Sequence, residues 1–296
     1  MASVEVTARS RIHFGLVDLT GATPRRFGGL GAMIEEPMVK VLCRPATEFS
    51  ITGPRLDDRL RTSVLEAAAR YQATVGGSAA LFEVLASPPR HVGLGSGTAT
   101  VMACLEGLNE LASTGATRAE LGRMSGRGGA SGTGVNGYWR GGWVVDAGQP
   151  RTVPVLPSGM QVPREPSLMT QHVRSPKWIV DLYLPPSCVG LSGLPEVELF
   201  RRAAADDSLE SLHALSLLHH GLVPAIMLDD LPSFGDNMER FQAHSLKRLE
   251  IEYHGPGFAK YRASLASAYP CVAMSSMGPI LAAFRGVEAP FPDVPY

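Results

Sequence analysis

The sequence predicts an α+β protein of two lobes, and three observations carry that prediction. Strand-like alternation and helical periodicity follow one another as β, α, β, α in each half of the chain. A stretch rich in proline and polar residues at 148–176 separates the halves, which places the lobes at 1–150 and 151–296. At 296 residues the chain exceeds one small domain, yet it suits a single two-lobed enzyme with a sizeable core. With 45% hydrophobic residues, 19% charged residues and a net charge of −1, disorder and a generally basic nucleic-acid binder are both excluded. Any anionic ligand must therefore be caught by local groups.

The elements follow in order. Residues 3–8 and 38–52 alternate or run β-branched, as in MVKVLC and EFSITG, with Pro45 between, and predict an early antiparallel set of strands. Over 56–71 the period becomes helical, with Leu60, Val64, Ala68 and Tyr71 on one face and Gly76-Gly77 as the stop. A strand is expected at 79–86, then a proline–glycine loop, then a helix over about 98–111. The glycine-dense run 126–137 leads into a strand at GGWVVDAG. In the second half a strand is expected at 178–184, helices near 208–219 and 233–248, and a closing CVAMSSMGPILAAF.

Cys43, Cys104, Cys188 and Cys271 lie far apart, with no CxxC pair and no histidine at zinc-ligand spacing, and read as buried thiols in a reducing compartment. The N-terminal MASVEVTARSR lacks the apolar core of a signal peptide, and no apolar run reaches the ~20 residues of a membrane helix. A cytoplasmic protein is expected, with neither nucleic acid nor membrane as partner.

The most informative local feature is HVGLGSGTATVMACLEGL at 91–108. Gly93, Gly95 and Gly97 let backbone approach a ligand, Ser96 and Thr98 offer hydroxyls, and a helix start presents free N–H groups with partial positive charge. The plain alternative is a tight turn capped by Ser96 or Thr98. No Lys-Ser/Thr follows the glycines and no Gly-x-Gly-x-x-Gly is present, so neither familiar phosphate fingerprint applies.

Residues Pro89 through Ala99 fit, without a gap, the pattern Pro-x-x-x-Gly-Leu-Gly-Ser-Ser/Gly-x-Ala. The blocks ARSRIHFGLVDLTG at 8–21, FGGLGAMIEEP at 27–37, GRGGASGTGVNGYWRGGWVVDAG at 126–148, GLSGLPEVELF at 190–200, LVPAIMLDDLPSFGDNMERFQ at 222–242 and SSMGP at 275–279 continue the match over nearly the whole chain. Together they resemble the β-ribofuranosylaminobenzene 5′-phosphate synthases, a branch of the GHMP kinase superfamily that uses phosphoribosyl pyrophosphate in place of ATP. The resemblance implies a GHMP-kinase-like two-lobed fold, with a ribosomal protein S5 domain 2-like first lobe and a ferredoxin-like second lobe. It implies decarboxylative C-glycosyl transfer from 5-phosphoribosyl 1-pyrophosphate to an aromatic amino-carboxylate, 4-aminobenzoate first, with loss of CO2 and pyrophosphate, in methanopterin-type cofactor biosynthesis. Mg²⁺ would ride on the donor's pyrophosphate. A homodimer is expected. Close relatives resemble C-nucleoside synthases that take a heteroaromatic, pyrazole-type carboxylate, and an ATP-dependent small-molecule kinase is the alternative from another class.

Two departures bear on these readings. Several kinases carry Ser-Gly-x-Asp where this chain has Ser131-Gly132-Thr133-Gly134, so the usual base is missing. The synthases commonly read Gly-Gln-Ser-Ser-Trp-Gly-Pro where this chain has Ala273-Met274-Ser275-Ser276-Met277-Gly278-Pro279, which points to a different acceptor if that stretch lines the pocket.

Arg11 and His13, two apart in an extended segment, project to one face, where Arg11 would pair with phosphate and His13 would orient the acceptor or its carboxylate. The plain reading is a surface arginine and a satisfied histidine. Asp18 would steady the ribosyl cation or help hold the metal, or form the turn before Thr20-Gly21. Arg26 and Arg127, beside glycines, suit anion binding, although loop arginines are commonly just solvated. Ser131, Asn136, Ser275 and Ser276 would give neutral hydrogen bonds near glycine bends, where caps and turns also explain them. His219-His220 read as helix-end residues, and the Asp206-Asp207 and Asp229-Asp230 pairs as solvated charges.

Overall fold

A computed structural model describes residues 3–157, 162–186, 188–191 and 193–294. Strand β1 (Val4–Asp18) and strand β2 (Arg25–Pro45) form a long antiparallel hairpin, paired from Val4 opposite Cys43 to Asp18 opposite Phe27 with register shifts between Ala8 and Ser10 and between His13 and Gly15. Both run well beyond the strands expected at 3–8 and 38–52. The extra length covers both glycine-bearing blocks, 8–21 and 27–37, whose alternation is masked because nearly every side chain from Ile12 to Met33 along the two strands is buried.

Strand β3 (Ser50–Thr52) runs parallel to β4 (Ala80–Ala86), with helix α1 (Asp58–Val75) as the crossover. Asp57 caps α1 by accepting from Leu60 N at 2.7 Å. After an irregular loop comes α2 (Ser96–Ala112), then the short helices α3 (Arg118–Met124) and α4 (Thr133–Asn136). Strands β5 (Trp143–Asp146), β6 (Gln149–Pro150) and β7 (Met169–Val173) complete a seven-stranded sheet of order β3-β4-β2-β5-β7, with β1 and β6 also pairing β2.

Strand β8 (Trp178–Tyr183) opens a three-stranded antiparallel sheet, order β8-β10-β9, closed by β9 (Cys271–Met274) and β10 (Leu281–Gly286). Between them lie α5 (Leu194–Ala204), α6 (Ser208–Leu217), a π-helical turn at Leu218–Leu222, α7 (Val223–Met227), α8 (Leu231–Gln242), α9 (Ser245–Tyr253) and α10 (Gly255–Ala266). The helix expected at 233–248 is two helices, broken at Ala243–His244. His219 and His220 lie in the π turn that carries α6 into α7, so they are not at a helix end.

The expected division at 150/151 does not follow the sheets, because β7 pairs with β5 and extends the first sheet to residue 173. Pairing there satisfies an edge that β5 would otherwise expose. A shared core also crosses the division. Phe14 of β1 stacks on Trp143 of β5 at 5.4 Å, and both meet Phe234 of α8 and Phe284 of β10. A separate core under α1 and α2 holds Val64, Tyr71, Phe82, Met102 and Leu105.

Candidate active site

The first half of the cleft grows from three segments tied together by backbone. Arg11 N donates to Leu94 O at 3.0 Å, and the Arg11 guanidinium donates to Gly93 O at 2.7 Å. Ser275 Oγ donates to the same Gly93 carbonyl at 2.6 Å and accepts from His13 N at 3.1 Å, while Ser276 N donates to His13 O at 2.8 Å. Strand β1, the loop before α2 and the turn after β9 therefore meet at one point.

Helix α2 starts there from Gly95, at φ 68°, with no side-chain cap. The first intrahelical bond is Ala99 N to Gly95 O at 3.1 Å, so the leading N–H groups are left for a ligand. This overturns the capped-turn alternative: Thr98 Oγ1 instead accepts from Arg127 Nε at 3.3 Å. A Cβ on Gly95 would sit 2.8 Å from Arg11 Cγ, and one on Gly97 would sit 2.7 Å from Arg90 Nη1, so the glycines make room for arginines as well as ligand.

Four arginines, Arg11, Arg59, Arg90 and Arg127, converge on this end of the cleft. Arg90 is held by Asp57 at 2.9 Å. Burial, then the charge of Arg127, lowers Arg11 to about 10. Burial, then the charges of Arg90 and Arg59, lowers Arg127 to about 10. Both stay cationic near neutrality, and their mutual repulsion is what a polyanion would relieve. Loop 126–134 is braced by Asp146, whose two oxygens accept from Gly132 N and Gly148 N, each at 3.0 Å; burial pushes its carboxyl up to about 7 despite these bonds.

His13 lines the cleft beside Arg11, 1% exposed, and neither ring nitrogen has a partner among the described residues. Burial, then the charges of Arg11 and Lys247, holds its pKa well below 6.5, so it is neutral, with one ring N–H to donate and one nitrogen to accept. An orphaned buried imidazole of this kind awaits a ligand. Lys247 forms a buried ion pair with Glu250, which in turn accepts from Met277 N at 3.3 Å. The apolar side chains of Leu16, Ala130, Leu191, Phe200 and Met277 also line the cleft, as does the carboxylate of Glu196.

The structure thus brings together Arg11, His13, Gly93, Gly95, Ser96, Gly97, Thr98, Arg127, Ser131 and Ser276, with Ser275 directly behind them. Asp18 does not line the cleft. Its Oδ1 accepts from Gly21 N at 2.7 Å, Ala22 N at 3.2 Å and Thr20 Oγ1 at 3.1 Å, and its Oδ2 from Thr23 N at 2.9 Å, so it braces the 18–23 turn. Arg26 lies on β2 opposite Gln149 and reaches Val153 O at 3.4 Å. Asn136 ties α4 to Ser167 O at 2.9 Å. Neither lines the cleft, although Arg26 Nε is buried without a partner among the described residues.

Sequence reasoning missed Arg59, Arg90, His91, Glu196 and Phe200. Arg90 and His91 stood inside the matched 89–99 block, and Glu196 and Phe200 inside 190–200, whereas Arg59 carried no signal beyond its place in the first turn of α1. Ser192 of the 190–200 block lies outside the described residues. Of the three positions altered in 273–277, Ala273 and Met274 are fully buried in core, the Met274 backbone held by Gln242 at 2.9 Å, and only Met277 faces the cleft.

Fold and site together define a GHMP-type protein. Residues 62–139 match the GHMP kinases N terminal domain. The homoserine kinase of Cytophaga hutchinsonii superposes with a TM-score of 0.64 at 17% identity, over 97% of this chain and 86% of that one. The mevalonate kinase of Methanococcus jannaschii superposes with a TM-score of 0.67 at 10% identity, over 97% of this chain and 91% of that one. Within that superfamily, the chain is 33% identical over 285 residues to the β-ribofuranosylphenol 5′-phosphate synthase of Archaeoglobus fulgidus, covering 95% of this chain and 87% of that protein. It is 29% identical over 283 residues to the enzyme of the same name from Methanothermobacter thermautotrophicus, covering 93% and 86%. The chain belongs to the β-ribofuranosylphenol (β-ribofuranosylaminobenzene) 5′-phosphate synthase family. No helix among the described residues is long and apolar enough to cross a membrane.

Proposed function

We propose that the chain transfers the phosphoribosyl group of phosphoribosyl pyrophosphate to the carboxylate-bearing carbon of an aromatic acid, releasing CO2 and pyrophosphate, as a step toward a methanopterin-type cofactor. One observation carries the reading: an uncapped α2 N-terminus ringed by four arginines adjoins a neutral, unpartnered His13 and an apolar wall. The glycine loop and arginines would take the donor's phosphates and favour departure of pyrophosphate. The ring would pack on Phe200, Leu191 and Met277. His13 would donate its one ring N–H to the acceptor carboxylate and hold it until the carbon–carbon bond is committed. The relatives' name, a ribofuranosylphenol 5′-phosphate, favours a hydroxyl on the acceptor ring alongside the amino group of 4-aminobenzoate.

Among the described residues no group of three His, Cys, Asp or Glu could hold a metal. The donor set fits Mg²⁺ only as a passenger on the pyrophosphate, close to the hydroxyls of Ser96 and Thr98, where it would neutralise the leaving group.

The aspartate that several GHMP kinases use as a base is absent here, which lowers the kinase reading. Gly134 lines the cleft beside Thr98 and Arg11, and the only carboxylate among the described lining residues is Glu196. A heteroaromatic acceptor is favoured by one observation, Met277 in place of the family's tryptophan on the acceptor wall. The test is calorimetric titration with phosphoribosyl pyrophosphate and with ATP, each with Mg²⁺, followed by turnover with acceptor labelled at the carboxyl carbon. Preference for phosphoribosyl pyrophosphate and equal release of labelled CO2 and pyrophosphate are expected. ATP binding alone, or product that keeps the label, overturns the reading.

A further inference from the structure

Among the described residues Glu196 is the one carboxylate that lines the arginine-rich cleft. It stands in the first turn of α5, four residues before Phe200, so the two side chains leave one face of the helix together. Phe200, Leu191 and Met277 make the apolar wall, so Glu196 shares both the cleft and one helix face with a side chain of that wall, with Arg59 as the cation acting on it. Glu196 does not turn back to cap its own helix, whose N-terminus has no side-chain cap.

From this placement we propose that Glu196 accepts a hydrogen bond from the hydroxyl or amino group of the aromatic acceptor and thereby activates the ring carbon that attacks the donor; the assignment rests on the reaction proposed above. With a hydroxyl acceptor, the ring carbon bonds to the anomeric carbon as the bond from that carbon to pyrophosphate breaks. The O–H proton passes to Glu196, leaving a neutral dienone that still carries the carboxylate. Loss of CO2 returns the bonding pair to the ring, which takes the proton back onto oxygen. No proton is gained or lost overall, and no oxidant is required. With an amino acceptor the nitrogen keeps its protons and Glu196 balances the charge that develops on it.

The surroundings suit a group that gives and takes one proton. Burial, opposed by Arg59 of α1 and reinforced by Glu250 of α9, holds the Glu196 carboxyl up at about 7. The other charged or titratable groups lining the cleft are Arg11, His13, Arg90, His91 and Arg127, and Lys247 is paired with Glu250.

The experiment uses the full chain as wild type, Glu196→Gln and Glu196→Asp, with phosphoribosyl pyrophosphate, Mg²⁺, and either 4-hydroxybenzoate or 4-aminobenzoate. Glu196→Gln should lower kcat with the hydroxy acid by about 10²–10⁴-fold and with the amino acid by less than about tenfold, the range of a positioned base against a lost hydrogen bond. Donor affinity by calorimetry should be unchanged in both variants, and Glu196→Asp should keep part of the activity. The base must be deprotonated, so wild-type kcat/KM for the hydroxy acid should rise with pH through about 7 and level off, a limb that Glu196→Gln flattens. Equal losses on both acceptors, or weakened donor binding, overturn the assignment while leaving the reaction intact. A wild type that turns over neither acid removes the reaction, and the assignment with it.

Discussion

The end of the cleft proposed for the donor joins the glycine-loop backbone of 93–98 to the side chains of Arg11, Arg59, Arg90 and Arg127, whereas the proposed acceptor wall is made of side chains from 191–200 and 276–277. The first is locked: Gly93 O alone takes bonds from both Arg11 and Ser275, and the α2 N-terminus is positioned by the hairpin beside it. At the second end, Leu191, Phe200 and Met277 meet only because α5 and the turn after β9 pack over β1. Backbone sites admit almost no substitution, because every residue shares the same peptide atoms. Side-chain walls can change chemistry one residue at a time. Within one family, the donor end should therefore be fixed and the acceptor end adjustable.

The largest effect should come from the locked end. Gly95→Val places a β-branched residue at φ 68° and drives its Cβ to within 2.8 Å of Arg11 Cγ. Turnover is expected to fall by more than about 10³-fold, beyond the loss of a single oxyanion-type donor. Steady-state rates with circular dichroism check it; near-full turnover with a native spectrum would mean the loop is only a turn.

Replacement at the junction of the two ends should cost less. His13→Ala is expected to lower kcat by about 10²–10⁴-fold, in the range of a positioned catalytic group. Because His13 is held neutral well below pH 6.5, the wild-type profile should show no limb at 6.5 that the variant removes. A limb that does vanish would make His13 a titrating acid or base and move the proton chemistry away from the acceptor wall.

The smallest effect should come from the adjustable end. Met277→Trp restores the aromatic wall of the wider family and should change kcat/KM ratios between monocyclic and heteroaromatic acids by about 10–200-fold, with donor affinity unaltered. Competition between paired acceptors reads the ratio. Altered donor binding would show that the two ends are not separable.

Much of the locked end was legible because its chemistry is carried by contiguous residues. The run 93–98 needs glycines at consecutive close approaches, and Arg11 and His13 share a strand face by the period of two. Asp18, Arg26 and Asn136 misled for one common reason. Polar residues beside glycines serve turns and ligands equally well, and only the hydrogen-bond count distinguishes them, as in the three backbone N–H groups that occupy Asp18. The boundary at 150/151 failed similarly, since composition marks an irregular stretch but not the strand β7 that returns across it.

By itself, the sequence determined the α+β order, the glycine-rich loop at 93–98, the shared strand face of Arg11 and His13 and the lack of a kinase-type carboxylate at Gly134, all properties of residues near in the chain or of local backbone freedom. Tertiary structure alone decided that Arg59 and Arg90 join Arg11 and Arg127, that Met277 faces the cleft while Met274 faces the core, and that Glu196 lines the same cleft. The physical reason is that electrostatic convergence and burial are properties of surfaces brought together from distant segments, and no local pattern encodes which segments will meet.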